Sequence, residues 1–309
     1  MVSILLFPGQ GAQKVGMGKD LAEAFPAARD TFAAIDDALG TALSRSMWEG
    51  PEELLQQTHR AQPAILAHSA AVLAVVQERL GTTVAGAAGH SLGEYSAYVA
   101  AGAVTPVEGA RLVRRRGELM HDAGTRRPGA MAAVLGLATA EVERACRDVS
   151  TPEEVVVAAN LNAPDQTVIS GDPPAVARAG EACKTAGGKR VLPLKVSGAF
   201  HSPLMAPAAA GLASALDSAE FGEPRFPVVA NASASAVRTA ADARRLLVEQ
   251  LTAPVRWVEC IQALAALAPG ARFVEIGPGT VLTGLLKRIL PEASCLSLST
   301  VSDVERFLA

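Results

Sequence analysis

The run Val84-Ala85-Gly86-Ala87-Ala88-Gly89-His90-Ser91-Leu92-Gly93 carries the decisive signal. Val84 to Ala88 is apolar and uncharged and reads as a buried strand, and a helix follows from about Glu94 to Ala101, with Gly102 as its natural stop. Between them, Gly89-x-Ser91-x-Gly93 has the pattern of a nucleophile elbow: the glycines let the chain turn sharply and leave Ser91 exposed at the strand end. A serine there sits at the positive end of the helix, beside backbone N–H groups that can stabilise an oxyanion. GxSxG alone often marks nothing more than a turn. Its place between an apolar strand and a helix gives it weight.

Outward from the elbow, short aliphatic runs alternate with helical stretches, the signature of an α/β fold with a largely parallel sheet. Ile4-Leu5-Leu6-Phe7 is a first strand that stops at Pro8-Gly9-Gln10-Gly11. Thr105, Pro106 and Glu108 form the start signal of a further helix as a capping box. From about Gly129 to Leu194 the order becomes strand (Met131 to Leu135), helix (Thr139 to Arg147), two strands (Val155 to Ala159, Thr167 to Ser170), helix (Pro174 to Ala186), strand (Arg190 to Leu194). This βαββαβ order is the ferredoxin-like pattern and marks an insertion that makes the large domain discontinuous. Helices over Pro203 to Leu216, Asp242 to Gln250 and Pro254 to Leu267 and strands near Val228 to Ala230 and over Arg272 to Ile276 complete the expectation. The divisions expected are 1–127 and 197–309 for the large subdomain and 128–196 for the small one.

The composition bounds the function classes. The 309 residues are 50% hydrophobic, enough for a sizeable core at roughly 150 residues per domain. Twenty-eight Lys plus Arg against 31 Asp plus Glu give a net charge of -3, so no global field exists to hold nucleic acid. No apolar stretch approaches the roughly 20 residues of a membrane span, and the start of the chain lacks the basic region and apolar length of a signal peptide. The expectation is a cytoplasmic protein without a membrane or nucleic-acid partner. Cys146, Cys183, Cys260 and Cys295 are scattered, with no CxxC pair, and read as small core residues with no metal site.

Serine needs a base, and the chain has five histidines. The side chain of His90 should point away from its neighbour Ser91, which gives it a structural role; His68 lies in an Ala-rich helical stretch and reads as a satisfied core or rim histidine; His59 and His121 sit in polar helical surroundings and read as solvated. His201 follows a strand-like segment and the turn Ser197-Gly198-Ala199-Phe200 and precedes Ser202-Pro203, a helix start. That loop position at a strand end makes it the base of a Ser-His pair. Of Arg114-Arg115-Arg116, two read as surface charge, but Arg116 falls inside the apolar stripe of Leu112, Val113, Leu119 and Met120. A buried guanidinium needs either an internal Asp or Glu or a substrate carboxylate that it can bind bidentately, and spacing alone leaves both open. Gly9-Gln10-Gly11 lacks the third glycine of a dinucleotide fingerprint, and no GxxxxGK[ST] loop occurs, so neither nucleotide-binding loop is expected. The backbone N–H of Gln10 is a candidate oxyanion donor.

Phe7-Pro8-Gly9-Gln10-Gly11-Ala12-Gln13, Gly89-His90-Ser91-Leu92-Gly93-Glu94-Tyr95-Ser96, Arg116-Gly117, Gly198-Ala199-Phe200-His201-Ser202 and Gly277-Pro278-Gly279, in this order, resemble the malonyl-CoA:acyl carrier protein transacylases of fatty-acid and polyketide synthesis. The resemblance covers essentially the whole chain and implies an α/β-hydrolase-like large subdomain with mostly parallel sheet plus an inserted ferredoxin-like small subdomain. It implies Ser91 as the acylated nucleophile, His201 as its base, the backbone N–H groups of Gln10 and Leu92 as the oxyanion hole and Arg116 as the ligand of the malonyl carboxylate. The histidine of this family is oriented by a main-chain carbonyl near the motif that Gln250-Leu251-Thr252-Ala253-Pro254-Val255-Arg256-Trp257 fits, which points to Gln250. Asn160 and Asn162 match a polar segment of the cleft, and Phe200 matches the malonyl-type form of a selectivity motif.

The resemblance further implies ping-pong transfer of malonyl from malonyl-CoA to the phosphopantetheine thiol of an acyl carrier protein, with no permanently bound cofactor and the coenzyme A thioester as substrate. No Asp-Ser-Leu attachment motif occurs in the chain, so the carrier acts in trans, and the enzyme is expected as a monomer. The rival reading is an editing hydrolase that uses the same Ser-His pair on acyl thioesters.

Overall fold

A computed structural model of the chain describes residues 2–81 and 84–309; Met1, Thr82 and Thr83 lie outside the described residues. Among the described residues ten strands run in chain order as β1 (Ser3–Phe7), β2 (Val84–Gly89), β3 (Ala130–Leu135), β4 (Val156–Ala163), β5 (Gln166–Gly171), β6 (Arg190–Pro193), β7 (Val228–Val229), β8 (Ala236–Val237), β9 (Arg272–Ile276) and β10 (Cys295–Leu298). They form a six-stranded sheet of order β10-β9-β1-β2-β7-β8 and a four-stranded sheet of order β4-β5-β3-β6. The large sheet is parallel apart from the β7–β8 pair, and the small one is antiparallel throughout.

Parallel strands covered by helices on both faces must be apolar on both faces, and β1 shows how this works. Leu5 and Phe7 point into one core with Phe32, Leu66, Tyr95 and Tyr98, while Ile4 and Leu6 point into a second core with Trp257, Ile261, Leu264 and Leu286. The central strand β2 is built of small residues because helices press on it closely. A Cβ on Gly86 would lie 3.2 Å from Leu264 Cδ2. The helix Thr58–Leu80 is apolar on nearly every face and is buried along most of its length, as a helix sunk into a core must be.

The small sheet is likewise clasped on two sides. One face packs with the helices Thr139–Val149 and Pro173–Thr185 around Val134, Val142, Cys146, Ile169 and Cys183, while Met131, Ala159 and Val168 on the other face join the main core. Its edge strand β4 is tied to the large unit by Leu161 N–H donating to Val255 O at 2.9 Å and Val255 N–H donating to Ala159 O at 2.8 Å.

Most elements lie within a few residues of their sequence-based bounds, and the departures have local causes. The helix expected from Pro254 starts at Trp257, because the backbone of Val255 is engaged with β4 and Arg256 N–H donates to Asn231 O. The helix expected from Pro203 opens as a 3-10 turn, Pro203–Met205, before Ala206–Ser218. The capping box at Thr105 is half made: its hydroxyl accepts from Glu108 N–H, but the Glu108 carboxylate turns to Arg111. β8, β10 and the helices Lys19–Ala24, Pro26–Leu39, Leu43–Glu49, Glu52–Leu55, Val281–Ile289 and Val301–Leu308 went unread in the sequence. Cys146, Cys183 and Cys260 are buried and Cys295 half-buried, all as free thiols. Among the described residues, no helix is long and apolar enough to cross a membrane.

The topology converges on one place. In an open parallel sheet, loops leaving the carboxyl ends of neighbouring strands lie side by side. Here the loops after β1, β2 and β7 carry Gln10, Ser91 and Asn231.

Candidate active site

Ser91 occupies the turn between β2 and the helix Gly93–Ala100 with φ of 53°, a left-handed conformation that costs a non-glycine residue of order 1–3 kcal/mol. Two contacts make the turn this tight. A Cβ on Gly89 would fall 1.9 Å from the Gly93 backbone, and one on Gly93 would fall 2.2 Å from Phe7 O, so both positions admit only glycine. Asn231 clasps the strained segment: its Oδ1 accepts from Ser91 N–H at 2.8 Å and its Nδ2 donates to Gly89 O at 2.8 Å. Gln250 Nε2 donates to Ser91 O at 3.0 Å.

His201 meets Ser91 across 110 residues of sequence, with Nε2 2.7 Å from Oγ. Its Nδ1 lies 2.9 Å from Gln250 O, which can only accept, so Nδ1 carries the proton and Nε2 is left as the acceptor for the serine hydroxyl. The ring is buried. Burial above all, and next the nearby Arg116 charge, push its pKa down to about 3 against the raising effect of the Gln250 carbonyl.

Among the described residues none of the other histidines hydrogen-bonds to this pair, although His90 lines the same cavity. His90 turns to the far side of the elbow, as expected, with Nε2 2.8 Å from Asn162 Oδ1 and its ring against Trp257. His59 and His121 were expected in solvent; they are half-buried, with ring centroids 5.4 Å apart, because Gly117 brings the helix Pro106–Arg126 close against the start of Thr58–Leu80. His68 was expected to be satisfied; it hydrogen-bonds with the Ser299 backbone, but its buried Nδ1 has no partner, and burial lowers its pKa to about 4.

Arg116 is 1% exposed. Its Nη1 donates to Gln62 Oε1 at 2.8 Å, and its Nη2 donates to Gln250 Oε1 at 2.9 Å and to Ser91 Oγ at 3.1 Å. Its Nε is buried without a partner. The two possibilities left open by the sequence are thereby narrowed, because among the described residues no carboxylate pairs with it directly. The buried acid Glu94 is reached through the Gln250 amide, whose Nε2 donates to Glu94 Oε2 at 2.8 Å. Burial lowers the Arg116 pKa and raises that of Glu94 to about 7, although Glu94 also accepts from Asn231 N–H at 2.9 Å. Arg114 and Arg115, by contrast, pair with Glu118 towards the surface.

These groups line a cleft of about 410 Å³. Gln10 and Leu92 lie beside Ser91 in it, and neither backbone N–H donates to another group among the described residues. Met120, Met131 and Phe200 supply an apolar wall, Asn160 lies on the rim of the small sheet, and Lys195 and Glu52 add charge to the lining. Asn162, expected in the cleft with Asn160, instead sits behind it and holds His90. Among the described residues, no group of three or more His, Cys, Asp or Glu could hold a metal ion.

Four contributors were missed in the sequence. Gln250 was read for its carbonyl, but its side chain links Arg116, Ser91 and Glu94. Glu94 follows directly on the elbow, where its place in the sequence points to no task. Asn231 and Gln62 carry no local signal, being an amide after a two-residue strand and an amide in an Ala-rich helix.

The chain matches the acyl transferase domain over residues 4–305. It is 45% identical over 301 residues to the malonyl CoA-acyl carrier protein transacylase of Bacillus subtilis (strain 168), covering 97% of this chain and 94% of the relative. The protein of the same name from Escherichia coli (strain K12) is 43% identical over 297 residues, 96% of each chain. Among solved structures, the complex of a type II PKS acyl-carrier protein with its malonyl-transacylase superposes with a TM-score of 0.94 at 45% identity, covering 100% of this chain and 99% of that one. Identity at this level across nearly the full length leaves one assignment: the chain belongs to the acyl transferase domain family, among the malonyl CoA-acyl carrier protein transacylases.

Proposed function

We propose that this protein transfers a malonyl group from malonyl-CoA to the phosphopantetheine thiol of an acyl carrier protein through a malonyl-Ser91 ester. The observation that carries the reading is the buried Arg116 guanidinium, which has no carboxylate of its own and donates to the same oxygen that contacts His201. A cation held beside the nucleophile recognises an acyl group that ends in a carboxylate.

Each step follows from the groups in place. The Ser91 hydroxyl proton passes to His201 Nε2 as Oγ attacks the thioester carbonyl carbon. The N–H groups of Gln10 and Leu92 receive the developing oxyanion. Collapse breaks the C–S bond, and the Nε2 proton goes to the departing coenzyme A sulfur. The carrier thiol then gives its proton to Nε2 and attacks the serine ester, and the proton returns to Ser91 Oγ. Gln250 O keeps the imidazole in the tautomer that both half-reactions need, with no acidic side chain in that position. Acetyl would leave the Arg116 charge buried and unpaired, a stronger source of discrimination than a methylene contact. Phe200 and Asn160 shape the acyl end of the cleft.

We read the larger sheet and its helices as an α/β-hydrolase-like subdomain formed by 1–127 and 197–309, and 128–196 as an inserted ferredoxin-like subdomain. The order β4-β5-β3-β6 and the βαββαβ sequence of elements support this reading. The carrier acts in trans, no cofactor is held permanently, and the site of action is the cytoplasm.

Incubation with malonyl-CoA should acylate the protein, and added carrier protein should discharge it to malonyl-carrier; Ser91→Ala should carry no adduct by mass spectrometry. Release of free malonate at a rate indifferent to the carrier would show a hydrolase instead. Arg116→Ala should lower malonyl transfer by about 100-fold or more while raising the relative rate with acetyl-CoA, since one partner of a buried charged contact has been removed. An unchanged preference would refute the carboxylate role. Because burial keeps His201 neutral well below its ordinary pKa, the base form persists as pH falls, and the rate of malonyl-Ser91 formation in quenched flow should stay level from pH 8 to pH 5. A half-drop near pH 6.5 would mean that His201 titrates as a solvated imidazole.

A further inference from the structure

We propose that a second cavity, among the helices Pro26–Leu39, Leu43–Glu49, Thr58–Leu80 and Pro106–Arg126, is a binding site for a small molecule bearing a phosphate group. The cavity measures about 340 Å³ and shares no lining residue with the catalytic cleft. Arg45, Arg60, Arg114 and His59 face it, and no acidic side chain does.

The surrounding acids answer two of these three arginines and leave Arg60 uncompensated. Glu49 meets Arg45, and Glu118 is divided between Arg114 and Arg115. Asp36, at the edge, is taken up by the backbone and hydroxyl of Ser44. The Arg60 guanidinium makes no ion pair or hydrogen bond among the described residues, and its Nε is buried without a partner. An idle, partly desolvated guanidinium in a cavity shared with two further, ion-paired arginines is a fork of N–H donors awaiting an anion with several oxygens, and a phosphate matches that geometry. The first turn of the long helix Thr58–Leu80, which carries His59 and Arg60, adds the positive end of its dipole. The arginines act on His59, whose pKa is lowered first by burial and then by His121, Arg60 and Arg114, against a raising effect of Glu118. Leu39, Ala42, Leu43 and Pro63 form the apolar part of the wall beside Thr41 and Ser46, which suits an organic portion next to the phosphate better than a bare ion.

The cavity backs onto the catalytic cleft through two shared helices. Pro106–Arg126 presents Arg114 to the cavity and Arg116 to the cleft. At the start of Thr58–Leu80, the Thr58 hydroxyl contacts Gln10 and Ser197 at the cleft while Arg60 faces the cavity. Where the two helices cross, a Cβ on Gly117 would lie 2.6 Å from His59 Cα, so the crossing leaves no slack to absorb a shift. A ligand in the cavity is therefore placed to bias the position of Arg116.

The test is calorimetric titration of the full chain with inorganic pyrophosphate at low ionic strength. Saturable binding at one site is expected, with Arg60→Gln weakening it at least tenfold at an unchanged melting temperature; Arg114→Gln serves as the second variant should Arg60→Gln fail to fold. Absence of saturable binding to the unmodified protein, or equal binding by the variant, overturns the proposal. KM values then identify the source of the phosphate. A rise in Arg60→Gln confined to malonyl-CoA, and absent with malonyl-dephospho-CoA, assigns it to the 3′-phosphate of the substrate. Unchanged KM for both assigns it to a free phosphorylated metabolite.

Discussion

The organisation of this site rests on a positive charge held inside the protein with no negative charge against it. Removing a partner from a buried charge ordinarily costs about 3–5 kcal/mol, and Arg116 is kept in that condition by dipoles instead of by a carboxylate. Gln62, Gln250 and Ser91 each offer one oxygen, and the face of Tyr95 lies 5.8 Å away. Neutral acceptors hold the guanidinium in position without satisfying its charge. A carboxylate in Arg116's place of closest approach would have left nothing for a substrate to supply. Glu94 is set one amide further off, and burial raises its pKa to about 7, which weakens it further as an internal rival.

The same charge, after burial, bears on the state of the imidazole proposed as the base. His201 is buried beside a cation, and both conditions favour the neutral imidazole. An aspartate behind the ring, as in other serine triads, would favour the imidazolium; the carbonyl of Gln250 orients the ring more gently. Gln250 thereby touches every member of the constellation, with its carbonyl on His201, its Oε1 on Arg116, and its Nε2 on Ser91 O and Glu94. The strained backbone at Ser91 is held from the same direction by Asn231.

How much of this was legible before the fold was seen depended on whether a signal was local. The elbow could be read because its glycines, its strand and its helix are contiguous, and Arg116 because helical spacing placed a charge within an apolar stripe. His201 could be read from its loop position and resemblance. Asn231 and Gln62 could not, since their tasks exist only once β7 lies beside β2 and Thr58–Leu80 beside Pro106–Arg126. The small strands β8 and β10 escaped for another reason, being too short to show a period and each formed only by pairing with the strand before it. Asn162 was placed in the right neighbourhood but on the wrong side of His90.

The central claim is that Arg116 is completed by the substrate. The direct measurement is a crystal structure of the malonyl-Ser91 form, trapped by soaking with malonyl-CoA in the absence of a carrier. The account predicts both carboxylate oxygens of the malonyl group within about 3 Å of the Arg116 guanidinium nitrogens. A malonyl carboxylate directed out of the cleft towards Lys195, with Arg116 still held only by Gln62, Gln250 and Ser91, would contradict it.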